Sequence, residues 1–152
     1  MNWIVALSNL PVIYPIYRTF TNKDFYTMAS IGFVGSMSFL SHLVENHKHG
    51  MSGIGFSTQT SYYLNRLDVF GSILTGSRFA YLYYRKFGFT IDGLINNPGL
   101  CLSTIISFLC LCYSEYDKYN PSLMYTYVIS HCVWHISIYS IMDYFLNNVI
   151  YS

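Results

Sequence analysis

"SHCVWHISIYS", residues 130–140, places two histidines four apart inside a run with no charged residue from Tyr119 to Met142. A stretch that apolar belongs in a protein core or a bilayer. There an imidazole costs free energy unless a partner binds it. What binds His131 and His135 therefore bears on both fold and function.

The same pattern recurs outward along the chain. Charge-free runs extend over Met1 to Tyr17, Phe25 to Val44 and Gly93 to Ser114, and Leu67 to Tyr84 is broken only by Asp68 and Arg78. A bilayer-spanning helix needs about 20 mostly apolar residues, and each run is near that length. Charged residues make up 10% of the chain, well short of the roughly 25% usual in soluble domains. A soluble helical fold would lack the polar surface to cover so much apolar material. The sequence thus predicts an all-α, integral-membrane bundle of about five transmembrane helices, in a single domain over residues 1–152.

The helices are expected at 2–19, 24–45, 62–86, 98–114 and 121–147, with the longest loop between the second and third. Pro98 suits the first turn of the fourth. The first run lacks a basic n-region and carries Pro11 and Pro15, so it does not read as a signal peptide. Arg18, Lys23, Arg85 and Lys86 collect on one side, with Arg78 snorkelling toward them. Lys48, Arg66 and Lys118 collect on the other. That bias favours a multi-pass protein of the endomembrane system or plasma membrane, with its N-terminus lumenal or extracellular. Net charge is +1, so no nucleic-acid footprint is expected. The four cysteines lie in apolar runs without a CxxC pair and read as small buried residues.

Four ionisable residues stand inside the expected spans: His42, Asp68, His131 and His135. His42 ends the second helix and Asp68 begins the third, on the same side from which the fifth helix starts. His131 and His135 lie about 15–20 Å along that helix at 1.5 Å per residue. Residues at i and i+4 share a helix face, so the pair can chelate one ion, and Ser38 and His42 repeat the spacing. Three imidazoles with one open position make a catalytic zinc site, whose bound water ionises near neutral pH and serves as nucleophile. Asp68 could accept that water's proton, and Ser38 could bond the water or an oxyanion. Taken singly, each feature has a plainer reading. The histidine pair could bond other helices or line a proton path, Asp68 could pair with Arg66 or cap its helix, and Ser38 could bond its own backbone.

"SMSFLSHLVE", "LNRLDVFGSI" and "SHCVWHISIY" together resemble the three signature segments of the CREST superfamily, which includes alkaline ceramidases and adiponectin-receptor-like, hemolysin III-like, Per1-like and myomaker-like proteins. That family's pattern is Ser-x3-His, then Asp, then His-x3-His, and Ser38, His42, Asp68, His131 and His135 fall on it in order. "HCVWH" is similar to the HxxWH form of ceramidase-type members, and Ser8 and Asn9 in "ALSNLP" to a Ser-Asn pair in the first helix. The resemblance implies zinc held by His42, His131 and His135, with Asp68 and Ser38 around its water. It further implies hydrolysis of a lipid amide or ester. The family is generally seven-helical, whereas this chain has room for five. Loss of two helices between the third and the last keeps the parity that assembles the site. The acidic calcium-binding segment ahead of the first helix in ceramidases has no match at "MNWIVALSN".

Three classes of function follow. One is a zinc-dependent hydrolase with a membrane lipid as its partner. Another is a receptor-like or membrane-remodelling protein with structural zinc. The third is a metal-free membrane subunit. Monomer and homo-oligomer both stay open. Glu45, three residues past His42, could be an outer partner of that ring or a proton shuttle. Alternatively Glu45, His47, Lys48 and His49 form a solvated interfacial cluster, with Tyr62, Tyr63, Tyr81, Tyr83 and Tyr84 in aromatic belts.

Overall fold

The computed structural model describes residues 1–44, 49, 51, 53–55, 57–117 and 119–152. They form an all-α fold: α1 (Asn2–Leu7), α2 (Ile13–Thr21), α3 (Phe25–Val44), α4 (Thr58–Phe87), α5 (Asp92–Ile95), α6 (Pro98–Ser114) and α7 (Met124–Phe145). Among the described residues one helix, Phe25–Val44, is both long and apolar enough to cross a membrane, and Pro98–Ser114 is apolar but shorter.

The helix expected over 2–19 is in fact two. α1 and α2 are joined by a 3-10 turn at Leu10–Val12 with proline at its start. Pro11 and Pro15 have no N–H to return to the carbonyls four residues back, so the α ladder cannot run through. The break leaves Ser8 and Asn9 at a joint rather than mid-helix. α4 starts four residues before its expected N-terminus, because Ser57 caps it by accepting from the Thr60 N–H. Asp68 therefore sits about three turns inside α4 rather than near its start. α6 matches its expected bounds. α7 is preceded by a 3-10 turn at Pro121–Leu123 and ends in a π turn at Leu146–Ile150.

α3 and α7 occupy the middle. α4 packs on α3, α6 packs on α7, and α1 and α2 lie against both central helices. Two glycines in this assembly allow the close approaches. A Cβ on Gly35 of α3 would meet Val12 at 2.7 Å, and one on Gly71 of α4 would meet the α3 backbone at Val34 at 3.1 Å. Ile31, Leu82, Phe145, Leu146 and Val149 form an apolar cluster at one end. Val5, Met51, Tyr127 and Val128 form another at the opposite end. Between them runs a buried polar layer drawn from α3 and α7.

The end with the first cluster is pinned by ion pairs. Arg18 of α2 reaches Asp143 of α7 at 3.2 Å. Arg78 donates to both Asp24 oxygens at 3.0 and 3.1 Å and to Thr27 Oγ1 at 2.7 Å. The Arg78 guanidinium thus ends on a carboxylate. Tyr151 O–H donates to the same carboxylate at 3.1 Å. Burial pushes Asp24 up, but the Thr27 and Tyr151 hydrogen bonds and the Arg78 charge outweigh it and hold Asp24 below its usual 3.8. A folded-state value below the unfolded one means the native chain prefers the carboxylate. That contribution to stability is complete above about pH 4 and is lost as pH falls through the folded value. Asp24→Asn should cost about 2 kcal/mol at neutral pH and flatten the acid limb of the stability profile, read by denaturant melts from pH 7 to 2.

Candidate metal centre

The centre is built on two i, i+4 pairs. Ser38 and His42 lie on the buried face of α3, and His131 and His135 on that of α7, where Tyr127 and Tyr139 continue the same stripe. Burial of these polar faces is tolerable because they meet each other. His42, His131 and His135 are 3%, 4% and 3% exposed. Their ring centroids are 4.6, 5.0 and 4.7 Å apart. One nitrogen from each lies within 4.8 Å of the other two, an arrangement that could hold a metal ion. His42 Nε2 and His131 Nε2 are 3.1 Å apart, close to the roughly 3.3 Å edge of a zinc–imidazole tetrahedron. Asp68 Oδ2 of α4 lies 4.0 Å from His42 Nε2. Ser38 O–H faces His135 Nε2 at 3.3 Å. The five sequence-selected residues are therefore brought together, from three helices.

The sequence assigned no hydroxyl to the outer side of the rings, although the resemblance marks Ser8 and Asn9. Each Nδ1 meets a hydroxyl: Ser8 at 2.7 Å for His135, Ser114 at 2.9 Å for His131 and Tyr127 at 3.4 Å for His42. Ser8 O–H donates to the Val5 carbonyl at 2.6 Å, and Ser114 O–H to that of Leu111 at 2.7 Å. A hydroxyl has one proton, so each serine then accepts from the imidazole. Those neighbours assign His131 and His135 the Nδ1–H tautomer, with the Nε2 lone pair turned toward the centre. Such outer bonds orient metal-ligating histidines. Tyr127 can donate or accept, so the His42 tautomer can follow what occupies the centre. Glu115 Oε1 stands 3.8 Å behind His131 Nδ1, adding negative charge on that side. Asn9 holds the joint: its Oδ1 accepts from Tyr139 O–H at 3.0 Å.

Tyr127 was findable, standing one turn before His131 on the same face. Ser114 carried no local signal, since a serine closing a helix looks like any other until α6 packs on α7. Ser8→Ala and Ser114→Ala should each weaken divalent-metal affinity by about 10- to 100-fold while the fold survives, measured by competition with a chelating dye.

His49 corrects one expectation. It is not solvated but 1% exposed. Its backbone is left-handed, φ 49°, and its ring stacks on Tyr127 with centroids 4.8 Å apart. Its Nδ1–H donates to the Asn120 carbonyl at 3.0 Å. Glu45, His47 and Lys48 lie outside the described residues.

No protein-family model matches the chain, and no solved structure does. The chain is 54% identical over 150 residues to the uncharacterized protein L282 of Acanthamoeba polyphaga mimivirus, an alignment that covers 99% of each. With identity at that level across both full lengths, the chain belongs to the same family as this mimivirus protein.

Proposed function

We propose that the protein is a shortened CREST-type membrane hydrolase that cleaves an acyl-lipid amide or ester at a zinc centre. The observation that carries this is the convergence of His42, His131 and His135 with Asp68 and Ser38 beside them. Three neutral imidazoles with an adjacent carboxylate suit zinc better than calcium or magnesium, which take oxygen ligands. Zinc held there supplies Lewis acidity toward a carbonyl and lowers the pKa of water. Asp68 takes a proton from the attacking water and returns it to the leaving amine or alcohol. Ser38 donates its O–H toward the oxygen that gains charge.

In this reading the chain is a multi-pass bundle of five spans, with the α1–α2 pair counting as one. Support comes from the outward faces. On α6, Leu102, Ile105, Ile106, Phe108 and Leu109 are all exposed, as are Phe70 and Ile73 on α4. Exposed apolar surface on that scale calls for lipid or a partner. Tyr62, Tyr63, Tyr81 and Tyr84 are exposed near the two ends of α4, as interfacial belts require.

A second reading keeps zinc and drops hydrolysis. The depth of burial of the triad favours it, since zinc bonding α3 to α7 would stiffen a receptor-like or membrane-remodelling protein without chemistry. Purified protein, assayed for bound zinc and for fatty-acid release from ceramides, glycerolipids and glycosylphosphatidylinositol-type lipids, separates the two. Release that needs zinc supports hydrolysis, and full zinc occupancy without release from any of them supports the structural role.

A further inference from the structure

His49 is not needed by the hydrolase reading, yet its placement is specific. Its Nδ1–H is committed to the Asn120 carbonyl, so Nε2 carries a lone pair. That Nε2 is buried and has no hydrogen-bond partner among the described residues. A buried acceptor without a donor is costly, and in native proteins water usually supplies one. The room for it is present. His49 lines a cavity of about 80 Å³, with Tyr113, Ser114, Tyr116, Leu123, Thr126 and Tyr127. At roughly 30 Å³ per molecule that is space for about two or three waters. Five of the lining residues, Tyr113, Ser114, Tyr116, Thr126 and Tyr127, carry hydroxyls that can complete their bonding.

The inner wall decides what this cavity is for. Ser114 and Tyr127 are the groups that bond His131 and His42 from outside. One hydroxyl-bearing side chain, Ser114 or Tyr127, therefore stands between the cavity and each of two rings, His131 and His42. Hydrolysis consumes one water per turnover, and that water must reach a site buried among apolar helices.

We propose that this cavity is a water-binding site, with His49 as its acceptor, and that water reaches the metal centre through it. The proposal rests on the triad binding metal. Filling or dehydrating the cavity should slow water exchange at the centre without lowering metal content. Thr126→Leu fills it with apolar carbon, whereas His49→Phe keeps the stack on Tyr127 and removes the acceptor.

The test uses full-length protein in lipid nanodiscs loaded with cobalt(II), with exchange at the bound ion read from water-proton relaxation. Both variants should bind one cobalt per chain, as the parent does, and exchange should slow by about tenfold or more. Thr126→Ser, which enlarges the cavity with the least risk to folding, should leave exchange as fast or faster. Unchanged exchange in both Thr126→Leu and His49→Phe at full cobalt occupancy overturns the water route and leaves the metal centre standing. A parent chain that binds no cobalt and no zinc overturns both.

Discussion

Protein carrying His131→Ala should come through purification without chelators holding under about a tenth of the metal found in the parent, which should hold about one zinc per chain. The expectation follows from geometry. His131 is the middle ring, 4.6 Å from His42 and 4.7 Å from His135 by centroid, so its loss leaves two donors in place of three. A hard carboxylate 4.0 Å from His42 is a poor substitute for an imidazole on the opposite helix. His42→Ala and His135→Ala should behave alike. Arg78→Leu, at the far end, should keep its metal while losing stability, which separates loss of a ligand from loss of fold. Elemental analysis decides this, and equal zinc in parent and His131→Ala would falsify the assignment of the triad. Because zinc binds the native state, the parent's unfolding temperature should also rise with zinc concentration, and that of His131→Ala should not.

Asp68→Asn should keep the metal to within about twofold and lower lipid hydrolysis by about 100-fold or more. Asparagine has the same shape and can still accept one hydrogen bond, but it cannot take a proton from water. Ser38→Ala should cost about 10- to 1,000-fold in turnover if its O–H stabilises the developing oxyanion. Its other described contact with the centre, to His135 Nε2 at 3.3 Å, is long for a hydroxyl bond. An Asp68→Asn chain with parental zinc and parental cellular function would move the protein to the structural-metal reading.

The candidate site was legible because its chemistry is local in sequence. Two i, i+4 pairs of polar residues inside apolar runs can share a face only by being helical, and burial of that face demands partners. Once α3 and α7 are helices of opposite direction, His42 and the His131–His135 pair have few other places to go. Asp68 was selected because a lone carboxylate in an apolar run carries the same cost. The supporting shell was less legible. The resemblance marked Ser8, but its role behind His135 shows only in the structure, where the joint after α1 places its hydroxyl 2.7 Å from His135 Nδ1. Ser114 depends on α6 packing against α7. His49 was misjudged because a histidine among Glu, Lys and Gly looks solvated, whereas its ring stacks on Tyr127 and is 1% exposed.

The amino-acid sequence by itself determined the all-α class, the long helices α3, α4, α6 and α7 to within a few residues, and the polar faces of α3 and α7. These follow from short-range spacing and from the cost of placing imidazole and carboxylate among apolar side chains. The break between α1 and α2 and the short α5 did not show in it. The tertiary structure alone decided which hydroxyls stand behind the rings, where His49 lies and what lines its cavity. Those contacts join residues as much as 127 positions apart, Ser8 and His135 being the example, and no local pattern encodes a hydrogen bond made only after two helices have packed.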